Sequence, residues 1–137
     1  MCFIIPFTDD PYAPPLVAPE HGIDCFKLVR RTKTPGLYYS LFQDYPYKEL
    51  EQQPTVFLQS LPFTTESLSL RRIDSGYHSY SSYDRAFLEL MCCTPVYRRA
   101  IAIVRCIIPR GSNYYRNLSP EYQEYVSSSI ILLGEES

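Results

Sequence analysis

His78 is the residue in this sequence best suited to chemistry, because an imidazole changes protonation near neutral pH and Gly76 permits a close backbone approach beside it. Tyr77 and Tyr80 add phenols, and Arg71 and Arg72 add guanidinium groups a few positions upstream. His78, Tyr77, Tyr80, Arg71 and Arg72 are therefore the candidate ligand-binding set, and no residue is assigned a catalytic role. If the segment is extended, Tyr77 and Ser79 point away from His78, so this spacing does not assemble a site by itself.

Other constellations are weaker. A nucleophile set of Cys92 or Cys93 with His78 and Asp84 fails on local geometry, since eight helical positions from Asp84 to Cys92 span roughly 12 Å along the axis. It also lacks a nucleophile elbow or a local cysteine-enzyme signature. Adjacent Cys92-Cys93 has no gap of the kind zinc knuckles use, and His21 with Cys25 has no second paired motif, so no metal is expected. Arg71-Arg72-Asp74, Arg98-Arg99 and Glu121-Glu124 could bind an anion or nucleotide only if folding gathered them around one cleft. No phosphate-binding glycine loop or dinucleotide fingerprint is present, so no cofactor is implied.

The bulk properties bound what can hold such a site. A chain of 137 residues, 45% hydrophobic and 20% charged, fits one domain with its own core. A formal charge of −2 provides no field toward nucleic acid or an anionic membrane, and no stretch approaches 18 continuous apolar residues. Five cysteines, Cys2, Cys25, Cys92, Cys93 and Cys106, are an odd number without a dense framework. With no signal-like start, they point to a reducing cytoplasm, with Cys25, Cys92 and Cys106 as core fillers.

The positioning elements can be sketched from pattern. Residues 1–22 carry Pro6, Pro11, Pro14, Pro15 and Pro19 and read as an arm packed on the same domain, with a short edge strand at Cys2 to Ile5. Residues 23–137 form the domain proper. Cys25 to Arg31 and Leu37 to Phe42 make a hairpin around Thr34-Pro35-Gly36. Gln43 to Pro54 reads as loop, Thr55 to Gln59 and Ser67 to Arg72 as short strands, and Ser60 to Glu66 as the loop between them. Ser81 and Asp84 then resemble a capping box, ahead of an apolar stripe at Tyr83, Ala86, Phe87 and Leu90, with Thr94-Pro95 as the stop. Ala100 to Ile108 is apolar on both parities up to Arg105 and predicts a central strand. Pro109 to Ser112 forces a turn, Ser119-Pro120 caps a brief helical turn, and Tyr125-Val126 and Ser129 to Leu133 are the last strands, leaving Gly134 to Ser137 as a frayed tail. The fold class expected is α+β: a small, mostly antiparallel or mixed sheet covered by one main helix, with a proline-rich amino-terminal arm.

The run Ile73-Asp74-Ser75-Gly76-Tyr77-His78-Ser79-Tyr80 resembles a Gly-aromatic-His-Ser/Thr-aromatic segment in a family of small uncharacterised phage and bacterial proteins. There it precedes a helix, and a later hydrophobic strand ends in a Pro-basic-Gly turn like Cys106 to Tyr115 here. The likeness covers the carboxy-terminal half and implies an origin and a fold, with the host cytoplasm as the location for a phage product. It implies no activity.

Thirteen tyrosines, seven phenylalanines and no tryptophan suit a binding surface, with Tyr38, Tyr39, Tyr45, Tyr47, Tyr77, Tyr80, Tyr114 and Tyr115 as aromatic anchors. The leading expectation is an accessory protein that binds a protein partner or self-associates, without nucleic acid or membrane. The alternative is a small nucleotide-related or ADP-ribosyl-handling enzyme or binding protein using a cleft near His78.

Overall fold

The structure, a computed structural model, describes residues 3–6, 14–41, 44–64 and 69–136. Its organising element is the run Ile101–Ile108, the ninth strand among the described residues (β9). It pairs antiparallel with β3 (Ile23–Arg31) on one side and with β12 (Ile131–Glu135) on the other. Ala102, Val104, Cys106 and Ile108 join Cys25 and Val29 in one cluster, while Ile101 and Ile103 join Leu28 and Ala86 in another. Both faces are covered, which is why the sequence is apolar on both parities there.

The β3–β4 hairpin (β4, Leu37–Ser40) forms as expected around Gly36, whose φ of +78° suits glycine. The region read as loop from Gln43 to Pro54 instead contains a strand, β5 (Pro46–Lys48), paired with β4. From there the backbone runs along the start of β12: Leu50 N–H donates to Leu132 O at 2.8 Å and Gln53 N–H to Ile130 O at 3.0 Å. The order β12-β9-β3-β4-β5 therefore returns on itself and closes a small barrel around Val29, Tyr38, Tyr47, Val104, Cys106 and Leu132.

The same edge of β3 that meets β4 at Val29 to Arg31 also meets β8 (Tyr77–Tyr80), at the single pair Phe26↔Tyr80. The sheet forks there. Beyond β8 it continues through β11 (Glu124–Ser127) and β10 (Asn113–Asn117) to β2 (Leu16–Val17). A separate three-stranded sheet holds β1 (Phe3–Pro6), β7 (Ser69–Ile73) and β6 (Ser60–Thr64), in the order β1-β7-β6. Thr55 to Gln59 is not a strand, and β6 lies where a loop was expected.

The main helix α1 (Tyr83–Met91) is capped by Ser82, whose hydroxyl accepts from Arg85 N–H at 3.2 Å. The expected cap, Ser81, instead donates its hydroxyl to Gln123 Oε1. Ala86 is fully buried, with Tyr83, Leu90 and Cys93 packed beside it against Phe26, Leu28, Ile101 and Ile103. Phe87, expected to shield the sheet, is 42% exposed and stacks on Tyr83. The small Ala86 lets the helix sit close, and Phe87 falls on its shoulder. Thr94-Pro95 ends α1 and begins a short helix, α2 (Pro95–Arg98).

Ser119-Pro120 opens a single turn, with Tyr122 N–H and Gln123 N–H donating to Ser119 O at 3.1 and 3.2 Å, while the Ser119 hydroxyl donates to Asn117 Oδ1 rather than capping it. Gly134 and Glu135 are not frayed; they lie in β12, and Arg31 holds the Glu135 carboxylate. Every strand pairing among the described residues is antiparallel, and one main helix covers part of one face, but strand outweighs helix far more than a balanced α+β fold implies. No described helix is long and apolar enough to cross a membrane.

Candidate functional site

Where β3 and β8 splay apart, a cavity of about 280 Å³ opens beside Lys27, Leu28, Ser40, Leu41, Tyr47, His78 and Tyr80, with the turn at Asp74 to Gly76 as one wall. Strand parity decides who reaches it. On β8, Tyr77 and Ser79 face the interior, and His78 and Tyr80 face the cleft. The turn before β8 depends on Gly76: at φ +108°, a Cβ would come within 2.5 Å of Leu58 Cδ2 and 2.7 Å of Val126 Cγ2.

Lys27 is the unexpected member. It shares the inward parity of Cys25 and Val29 and is 8% exposed. Its Nζ donates to the His78 carbonyl at 2.6 Å and sits 5.4 Å from the centre of the Tyr47 ring. The amine spans the gap in the fork, linking β3 to β8 where the backbones do not pair. Burial lowers its pKa from the usual 10.5 to about 8, with Cys106 and Cys25 opposing the change.

Burial, with the Lys27 charge adding to it, lowers the His78 pKa to about 4. The imidazole is therefore neutral at neutral pH and does not titrate in the range its ordinary value suggests. Burial, then Glu89 and Glu124, raises the Tyr80 pKa, so that hydroxyl stays protonated. At neutral pH the cleft thus offers a buried amine, a neutral imidazole and a phenol beside Leu28, Leu41 and the Tyr47 ring.

The remaining candidates lie elsewhere. Tyr77 is a core residue whose hydroxyl donates to Pro54 O at 2.8 Å and lies 3.3 Å from Tyr45 Oη. Arg71 is buried over the Tyr115 ring, with Nε donating to Ser60 Oγ, and lines a different groove with Pro14, Pro15 and Phe57. Its neighbour Arg72 alternates to the other face and grips Asp74 with two contacts, Nε–Oδ1 at 2.8 Å and Nη2–Oδ2 at 3.3 Å, touching the cleft only through that carboxylate. Asp84 and Cys92 are exposed and do not line the cleft, so no Cys-His-Asp site forms there. Among the described residues no group of three metal-ligating side chains exists, and Cys25 and Cys106 are buried while Cys92, expected in the core, is not.

Five of the tyrosines named as anchors, Tyr38, Tyr47, Tyr77, Tyr114 and Tyr115, are buried packing residues. Sequence reasoning missed Lys27, and it named Tyr47 as an aromatic anchor but not as part of the site near His78. The available signal was Lys27 itself, a charge between Cys25 and Val29 on the apolar parity of a strand. No protein-family model, curated protein or solved structure matches this chain.

Proposed function

We propose that the chain is a small-ligand-binding protein whose fork cleft takes a compact molecule with an apolar body and one hydrogen-bond-accepting head. The observation that carries this reading is Lys27, a nearly buried lysine lining a cavity with His78 and Tyr80. Pockets with convergent polar groups and displaced pKa values are where ligands bind, and about 280 Å³ suits a small molecule rather than a dinucleotide. The head accepts from Lys27, and the body lies against Leu28, Leu41 and Tyr47. The test is an amide chemical-shift titration with benzoate and with cyclohexanecarboxylate as probes. Shifts confined to 27–28, 40–41 and 74–80, lost in Lys27→Met, are expected. No shift at millimolar probe, or shifts elsewhere, overturns the reading.

A second reading, self-association, is favoured by one observation. Across α1 and α2, Leu88 (56%), Val96 (79%) and Tyr97 (67%) stand in solvent beside Met91. The strip begins at acidic Asp84 and ends at basic Arg98 and Arg99, so two copies meeting antiparallel bring opposite charges together. Sedimentation equilibrium tests it: a dimer that Val96→Glu dissociates supports the reading, and a monomer at 100 µM or about that concentration removes it.

A further inference from the structure

The chain contains three lysines. Lys33 and Lys48 are exposed, whereas Lys27 is nearly buried and lines the fork cleft. Its Nζ is held in place by the His78 carbonyl at 2.6 Å, beside the Tyr47 ring. A nearly buried amine, fixed by a hydrogen bond on the lining of a small cavity, is the arrangement that carbonyl condensation requires: a nucleophile that is partly unprotonated, positioned, and screened from bulk water.

We propose that Lys27 is an imine-forming residue whose amine condenses with a compact aldehyde or ketone bound in the fork cleft. The inference rests on the ligand-binding reading above and names the ligand's reacting group. In the first step the Lys27 nitrogen lone pair forms a bond to the carbonyl carbon, and the oxygen takes a proton to give a carbinolamine. In the second the nitrogen gives up its remaining proton, the C–O bond breaks, and water leaves as C=N forms. Amine and carbonyl become imine and water, with no change in oxidation state.

The groups facing Lys27 agree with this. From β3 and β9 the Cys25 and Cys106 thiols face the interior beside it, from β5 comes Tyr47, and from β8 comes a His78 that is neutral at neutral pH. Asp74, on the wall of the cleft, is engaged by Arg72 rather than by the amine. Burial therefore decides the protonation of Lys27, which falls to a pKa of about 8. Near pH 7.5, about one Lys27 in four is unprotonated, against about one in a thousand for an ordinary lysine.

The experiment treats the full chain with 4-fluorobenzaldehyde and sodium cyanoborohydride and maps the adduct by peptide mass spectrometry. The reductant turns an imine into a stable secondary amine. Lys33 and Lys48 serve as internal controls. The expected result is labelling of Lys27 at least about tenfold above either at pH 7, where the two exposed lysines are almost wholly protonated. Lys27→Arg, which keeps the charge, loses the adduct. Equal labelling of all three lysines overturns the proposal. Fluorine line-broadening with cleft chemical shifts but no trapped adduct overturns imine formation and leaves the binding reading standing. Absence of both overturns the two together.

Discussion

Lys27→Met separates the charge of the buried lysine from its packing. Methionine keeps an unbranched stem against Tyr47 and removes the ammonium. On folding, the amine's pKa falls from 10.5 to about 8 because burial penalises the charged form. That change corresponds to about 3 kcal/mol of destabilisation at neutral pH, at about 1.4 kcal/mol per tenfold. Below pH 8 both folded and unfolded chains hold the proton, and the full penalty applies. Between pH 8 and 10.5 the unfolded chain binds more protons than the folded one, so wild-type stability rises with pH; above that window the penalty is gone. The variant lacks this dependence. It also loses the bond to the His78 carbonyl, a loss of about 1–3 kcal/mol that does not vary with pH. At pH 7 the variant is thus about as stable as wild type, or up to about 2 kcal/mol more stable. The sharper quantity is the difference between the two proteins, which shifts against the variant by about 2–3 kcal/mol from pH 6.5 to pH 10. Tyrosine ionisation at the upper pH is common to both and cancels. Urea unfolding of each at both pH values measures it. Two curves that move in parallel with pH would falsify the claim that Lys27 carries a buried charge.

His78→Gln tests the other displaced group. Because the folded imidazole titrates at about 4 rather than 6.5, the unfolded chain takes up a proton first on acidification, and wild type loses about 2 kcal/mol between pH 7 and 4.5. The glutamine variant should show a flatter thermal-melting profile over that window, and equal slopes would refute the displacement. Gly76→Ala forces a Cβ into Leu58 and Val126 at positive φ and should destabilise by more than about 2 kcal/mol in urea melts. Ser82→Ala removes the hydroxyl that caps α1; a loss of about 1 kcal/mol is expected from the same assay.

The parts of the fold legible in the sequence are those whose pattern is local. The doubly apolar run at Ile101–Ile108, the turn at Gly36 and the stop at Pro95 each announce themselves within a few residues. The strands that escaped, Pro46–Lys48 and Ser60–Thr64, contain a proline and pair with a partner on one side only. An edge strand tolerates a missing amide donor, so Pro46 and Pro62 are compatible with strand although neither segment shows a strand pattern. The site follows the same division. Alternation along β8 already separated Tyr77 from His78, and alternation along β7 separates Arg71 from Arg72, so those neighbours could never serve one cleft. The partnership of Lys27 with His78, 51 residues away, depends on where the sheet forks, and the fork is set by long-range register.

That fork gives Lys27 two possible reasons to exist. As a strut, its amine replaces a ladder bond between β3 and β8, and the protein needs it for stability alone. As a functional group, it is retained although a neutral side chain of the same shape would cost the fold less, as active-site residues commonly are. The two make opposite forecasts for one variant. A strut predicts that losing the bond to the His78 carbonyl outweighs the relieved burial penalty, so that Lys27→Met is destabilised even at neutral pH. A functional amine predicts a variant at least as stable as wild type at neutral pH that no longer captures an aldehyde. Burial lowers the Lys27 pKa to about 8, and the amine can donate to the His78 carbonyl in either protonation state, so capture of the aldehyde, set beside stability at neutral pH, decides between the two.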